Sequence, residues 1–122
     1  MASSYSKVYG AWKQAPEDFW AEAAREIDWF QPFDRVFDPQ LGVYGRWFPG
    51  GVTNTCFNCL DRQIAAGRAN QNALIYDSPV TGTVEHWTYG AMLDEVGALA
   101  AVYRDLGIGK GDRIIIYMPM IP

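Results

Sequence analysis

The spacing of apolar positions changes several times along this chain, and each change marks a predicted element. In residues 16–27, Phe19, Trp20, Ala23, Ala24 and Ile27 recur at helical spacing, while Glu22, Arg25 and Glu26 lie off that stripe, which predicts an amphipathic helix. Pro16 suits the first turn, where a missing N–H costs nothing, and Glu17 and Asp18 sit at the positive end of the helix dipole. Residues 28–51 lose the period. Pro32, Pro39 and Pro49 interrupt regular structure, and Trp29, Phe30, Phe33, Phe37, Tyr44, Trp47 and Phe48 are scattered between them. Such a segment reads as an irregular arm laid over another surface, a cap rather than a core.

Asn54 then predicts a helix start, with residues 54–66 helical, Gly67 as the stop, and Cys56, Phe57, Leu60 and Ile64 near one face. Residues 73–76 and 84–88 read as short strands. The loop Asp77-Ser78-Pro79-Val80-Thr81-Gly82-Thr83 between them has turn chemistry, so the two can pair as a hairpin. Thr88 caps a longer helix reaching Leu106, in which Met92, Val96, Leu99, Tyr103 and Leu106 keep the 3.6-residue period before Gly107 ends it. The continuous run Ile114-Ile115-Ile116-Tyr117-Met118 predicts a strand buried on both faces. Strand, strand, helix, buried strand is the opening of an α/β sheet, and it reads as unfinished at Ile121-Pro122.

Composition narrows the class. The 122 residues are 49% apolar and 20% charged, a soluble globular profile. Five Trp, seven Tyr and six Phe bring large ring surfaces that call for cover. A net charge of −4 without a Lys or Arg cluster argues against nucleic acid or an anionic membrane as partner. The first ten residues hold one Lys and no apolar run, and no stretch reaches the roughly 20 apolar residues of a membrane span, so we expect a cytoplasmic protein without a secretory signal. Two cysteines, Cys56 and Cys59, are too few for a disulfide framework.

Four features could carry chemistry, and each has a plainer reading that outweighs it. Gly50-Gly51-Val52-Thr53-Asn54-Thr55 leads into a helix, as phosphate loops do, but no Lys follows and no convincing strand precedes, so a turn and helix cap is expected. Gly107-Ile108-Gly109-Lys110-Gly111 follows a helix and precedes a strand, the reverse of a dinucleotide fingerprint. Cys56 and Cys59 share a helical face, yet zinc would need two further ligands and the sole His, His86, lies in a predicted strand, so buried, unreactive thiols are expected. His86 itself reads as a strand surface residue. Acidic residues are spread singly, so neither a Ser-His-Asp set nor a carboxylate pair is indicated.

Two stretches carry more. Trp47-Phe48-Pro49-Gly50-Gly51-Val52-Thr53-Asn54, continuing through Asn58 and Asp61-Arg62, resembles the signature of the N-terminal domain of acetyl-CoA synthetases, and Phe19-Trp20, Trp29 and residues 34–37 are similar to that domain's opening. Thr88-Tyr89, Leu93, Val96, Leu106-Gly107, Gly111-Asp112-Arg113 and residues 116–122 look like the start of the AMP-binding, adenylate-forming domain of the same family. Gln63 departs from the family, which usually has His after the Asp-Arg pair. The resemblance identifies the chain with AMP-forming short-chain acyl-CoA synthetases, and its Gly-Gly-Val-Thr-Asn form with residues 76–83 lies nearer the propionate than the acetate branch.

The resemblance implies residues 1–66 as the N-terminal domain of helix, arm and helix, and residues 67–122 as the start of a truncated AMP-binding domain. It implies an acid-CoA ligase acting in two steps. ATP and a carboxylate give an acyl-adenylate and pyrophosphate, and the coenzyme A thiol then displaces AMP, with Mg as cofactor. The phosphate loop, ribose-binding acid and C-terminal Lys of such enzymes come later in the chain than these residues. No catalytic, cofactor-binding or metal-binding residue is therefore expected here, and the expected partner is the remainder of the synthetase, its AMP-binding core and C-terminal domain. The alternative is a free-standing, non-catalytic interaction module.

Overall fold

A computed structural model describes residues 4–122, which form two compact units, one running through Asn58 and one from Cys59. The first unit opens with α1 (Ser4–Gln14), a helix outside the elements expected from sequence, followed by α2 (Pro16–Ala23) and a 3-10 turn, Ala24–Glu26. Pro16 occupies the first turn of α2, with Glu17 and Asp18 beside it as expected. Trp29 closes the far end, its Nε1 donating at 2.9 Å to the Ala24 carbonyl, which also accepts from the Ile27 N–H at 3.3 Å.

The arm has more internal order than its prolines suggest. Strand β1 (Phe37–Asp38) pairs antiparallel with β2 (Arg46–Trp47), and Gln31 bridges Val52, with Val52 N–H donating to the Gln31 carbonyl at 2.9 Å. Two residues per strand are all the prolines permit, since each removes a ladder donor. Rings do the rest: Trp29, Phe33 and Phe48 form a triangle with centroids 5.0 to 5.5 Å apart, and Phe37 lies 4.7 Å from Trp47. The segment expected to cap another surface thus carries a ring cluster of its own.

Helix α3 (Thr55–Cys59) starts as expected, with Asn54 Oδ1 accepting from the Phe57 N–H at 3.0 Å. The single helix expected for residues 54–66 is broken. Leu60, at φ −117°, separates α3 from α4 (Asp61–Ala65) and is itself buried. The Leu60 backbone stays in the right-handed helical region, and its carbonyl starts α4 by accepting from the Ile64 N–H at 3.1 Å.

In the second unit β3 (Asn72–Ser78) pairs with β4 (Thr83–Thr88) as the expected hairpin, in a register joining Leu74 with Trp87 and Tyr76 with Glu85. A bulge sits between Asn72 and Leu74. Helix α5 (Tyr89–Asp105) packs on both strands, and its cap is the expected one: Thr88 Oγ1 accepts from the Ala91 N–H at 3.2 Å. Its end is a Schellman motif, with Ile108 N–H donating to the Tyr103 carbonyl at 3.0 Å and Gly107 N–H to the Arg104 carbonyl at 2.9 Å. Gly107 stands at φ +82°, where a side chain would be strained. Helices with small antiparallel sheets make the α/β class.

The expected buried strand is absent. Residues 114–118 hold no regular structure and stand exposed, Ile115 by 89% and Tyr117 by 100%. A strand is stabilised by ladder partners, and among the described residues β3 and β4 pair only with each other. The α5 stripe is likewise only half covered, with Leu99 and Leu106 exposed. Among the described residues, the buried apolar side chains are those of Ala24, Pro49 and Leu60.

Candidate functional site

The signature stretch, residues 47–54, folds into a sharp turn built on backbone bonds. Phe48 N–H donates to the Val36 carbonyl at 2.8 Å, Asp34 N–H to the Pro49 carbonyl at 2.9 Å, and Gly51 N–H to the Phe48 carbonyl at 3.1 Å. Phe48 takes φ +50°, a strained value for a bulky residue, and its ring is held against Trp29 and Phe33. Gly51 lies under the Trp29 ring, so close that an added Cβ would come within 3.0 Å of Cε3 and 3.1 Å of the Phe33 Cβ. Beside Gly50 stands the Asp34 carboxylate, whose Cγ would be 2.8 Å from a Cβ built there. A carboxylate against the turn repels phosphate, and the glycines serve close packing. The expected turn and helix cap describes this loop.

The end of the signature fastens the chain to itself. Asn58 Oδ1 accepts from the Asp28 N–H at 2.8 Å, and its Nδ2 donates to the Asp28 carbonyl at 3.1 Å. Thr53 Oγ1 donates to the same carbonyl at 2.8 Å, and Asn58 Nδ2 also lies 3.1 Å from Thr53 Oγ1 and the Asn54 carbonyl. Three polar residues of the signature thus join α3 to the start of the arm, while Phe57 packs edge-on to Phe30 at 5.0 Å. Sequence reasoning caught the Asn54 cap and missed this clamp, because Asp28 and Asn58 are 30 positions apart and nothing local pairs them.

The other candidates fall as follows. Gly107 ends α5, and Gly109 to Asp112 form a turn in which Asp112 Oδ2 accepts from the Gly109 N–H at 2.7 Å. His86 is an exposed strand residue, its Nδ1 3.0 Å from Asn72 Nδ2. The expectation of two buried thiols is corrected: both cysteines are free, Cys56 is half-buried and Cys59 is exposed. Helix α3 is only five residues long, and the buried place after it goes to Leu60. Among the described residues no three His, Cys, Asp or Glu side chains form a group able to hold a metal ion. No helix among them is long and apolar enough to cross a membrane.

The second unit holds a concavity of about 510 Å3 lined by Leu74 and Trp87 of the hairpin, Met92, Glu95, Val96 and Leu99 of α5, and Ile121 and Pro122. Seven of these eight side chains are apolar. Such a lining can shelter hydrocarbon and cannot balance the charge of a triphosphate.

Family models divide the chain between them. A model of the acetyl-coenzyme A synthetase N-terminus matches residues 5–59, and one of the AMP-binding enzymes matches residues 60–122. This chain belongs to the family of AMP-binding enzymes, with an acetyl-coenzyme A synthetase N-terminus in its first half. Within that family it is 42% identical over 120 residues to the human mitochondrial acyl-CoA synthetase short-chain family member 3, covering 98% of this chain and 18% of that protein. An acetyl-coenzyme A synthetase of Methylorubrum populi is 40% identical over 123 residues, covering 98% of this chain and 19% of its own. The acetoacetyl-CoA synthetase from Streptomyces lividans superposes with a TM-score of 0.80 at 27% identity, over 99% of this chain and 19% of that one. The chain thus spans less than a fifth of the length of these synthetases.

Proposed function

We propose that this chain is the N-terminal part of an ATP-dependent, AMP-forming acyl-CoA synthetase. It activates a short carboxylic acid, propionate first and acetate next, through an acyl-adenylate to its CoA thioester. Residues 1–66 are its N-terminal domain and residues 67–122 the start of its AMP-binding domain. The protein is cytoplasmic, ATP, Mg and coenzyme A serve the whole synthetase, and the 122 residues alone are inactive. The observation that carries this reading is the pair of family matches in their proper order, residues 5–59 and then 60–122.

Propionate rests on the Gly50-Gly51-Val52-Thr53-Asn54 form and residues 76–83. Inactivity rests on chemistry. Adenylation requires cationic and backbone donors placed around a triphosphate. The lysines here are Lys7 and Lys13 on α1 and Lys110 in a turn, and the glycine turn faces Asp34. The part played by these residues is architectural: the clamp and the ring cluster fix the arm, and α5 backs the β3–β4 hairpin.

Pyrophosphate exchange with propionate and with acetate tests this, run on the 122-residue chain and on the protein extended through its natural downstream sequence. Exchange by the extended protein alone is expected, faster with propionate. Exchange by the short chain, or silence from the extended protein with both acids, overturns the proposal.

A further inference from the structure

Neither Cys56 nor Cys59 has a part in the function proposed above. Both stand free on the five-residue helix α3, three positions apart and so on one face. Cys59 is exposed and Cys56 half-buried, the order of access that suits an attacking thiol and a resolving one. Among the described residues no group of three ligating side chains includes them, which leaves sulfur chemistry rather than metal binding.

The backbone puts closure of this pair within reach. Cα atoms three positions apart on an α-helix are about 5 Å from each other, inside the window of roughly 4.4 to 6.8 Å that a disulfide spans. The Cβ atoms, about 5 to 6 Å apart, must draw together to roughly 4 Å, so the turn has to give way. Helix α3 yields readily, because its ladder covers only five residues and ends at Leu60. A bond closed by bending the turn is strained and easily reduced, which suits a reversible modification. Asn58 lies between the two cysteines in sequence and holds the arm: its Oδ1 accepts from the Asp28 N–H at 2.8 Å and its Nδ2 donates to the Asp28 carbonyl at 3.1 Å. Moving the turn that carries both thiols moves Asn58 with it.

We propose that Cys56 and Cys59 are a reversible redox pair, and that their oxidation by a small-molecule disulfide loosens the Asn58–Asp28 clamp. The Cys59 thiolate attacks one sulfur of the small disulfide, breaking its S–S bond and releasing a thiolate that takes up the proton Cys59 lost. The Cys56 thiolate then attacks the Cys59 sulfur of the mixed disulfide and displaces the second small thiolate, which takes up the proton from Cys56. Two protein thiols are oxidised, and one small disulfide is reduced to two thiols. In a reducing compartment the pair rests open, and it closes when the thiol pool turns oxidising.

The test treats the full-length protein with glutathione disulfide, blocks the remaining thiols with iodoacetamide and digests with trypsin. Cleavage after Arg46 and Arg62 leaves both cysteines on one peptide, residues 47–62. That peptide is expected to be unalkylated and lighter by two hydrogens than its dithiol form, and to regain both thiols with dithiothreitol. Hydrogen exchange at the Asp28 amide should rise about fivefold on oxidation, as the loss of one hydrogen bond implies, and fall back on reduction. Cys56→Ser should stop at a glutathione adduct on Cys59, and absence of that adduct overturns the order of attack. A wild-type peptide that stays a dithiol, or stops at the adduct, overturns the redox pair. A closed disulfide with unchanged Asp28 exchange overturns its action on the clamp. Both of these readouts come from wild type, so neither depends on how well a variant folds.

Discussion

Asn58 grips Asp28 by both polar groups of its backbone, accepting from the N–H at 2.8 Å and donating to the carbonyl at 3.1 Å. A side-chain amide used this way stands in for a neighbouring strand, in a segment whose prolines leave little ladder to form. Asn58→Ala removes both bonds and should destabilise the protein by about 2 kcal/mol. Asn58→Asp keeps the acceptor and replaces the donor with an oxygen facing a carbonyl, so it should be no better tolerated. Denaturant titration of both variants checks this, and equal stability of wild type and Asn58→Ala would remove the clamp from the account.

Glycine substitutions should divide by position. Gly51→Ala pushes a methyl group against Trp29 and Phe33 and should cost about 1 to 3 kcal/mol. Gly97→Ala, inside α5 with no atom within 4 Å of the new methyl group, should stabilise the 122-residue chain by up to about 1 kcal/mol. Helicity by circular dichroism and denaturation midpoints separate the two.

Thr88 both ends β4 and caps α5. Thr88→Ala leaves the Ala91 N–H without its acceptor and should cost about 1 kcal/mol, while Thr88→Ser should cost much less. Equal losses would mean that the methyl group, not the hydroxyl, matters.

The two thiols should differ in access. Cys59, exposed at the end of α3, should be alkylated faster than half-buried Cys56, as mass spectrometry of partially labelled protein can show. Protein purified without added metal should carry no stoichiometric zinc, because two thiolates leave a tetrahedral shell half filled. Faster labelling of Cys56 contradicts the placement of α3, and stoichiometric zinc contradicts the reading of the pair.

Local signals were legible in the sequence wherever one residue type does one job. Asn54 and Thr88 cap, Gly107 stops, and the turn between β3 and β4 joins a hairpin, each over a few residues. Helix α1 was missed although Tyr5, Val8, Tyr9 and Trp12 hold the period, since Gly10 and two serines weaken its propensity. The strand expected at residues 114–118 and the buried thiols failed for a different reason. Both readings took apolar character as proof of cover, and cover is supplied by neighbours distant in sequence. The clamp was invisible for the same cause: no local pattern announces which Asn will meet which backbone.

The closures that shape this chain are short in sequence. Asn58 reaches back 30 residues to Asp28, Val52 bridges Gln31, and the hairpin turns within the four residues between Ser78 and Thr83. Short closures cost little entropy and form quickly. As the chain leaves the ribosome, the first unit can therefore assemble once Asn58 has emerged, and the hairpin with α5 can follow within the next fifty residues or so. The nascent chain would then carry a surface rich in exposed rings, among them Tyr5, Tyr9 and Trp20, and that is where a chaperone would have most to protect.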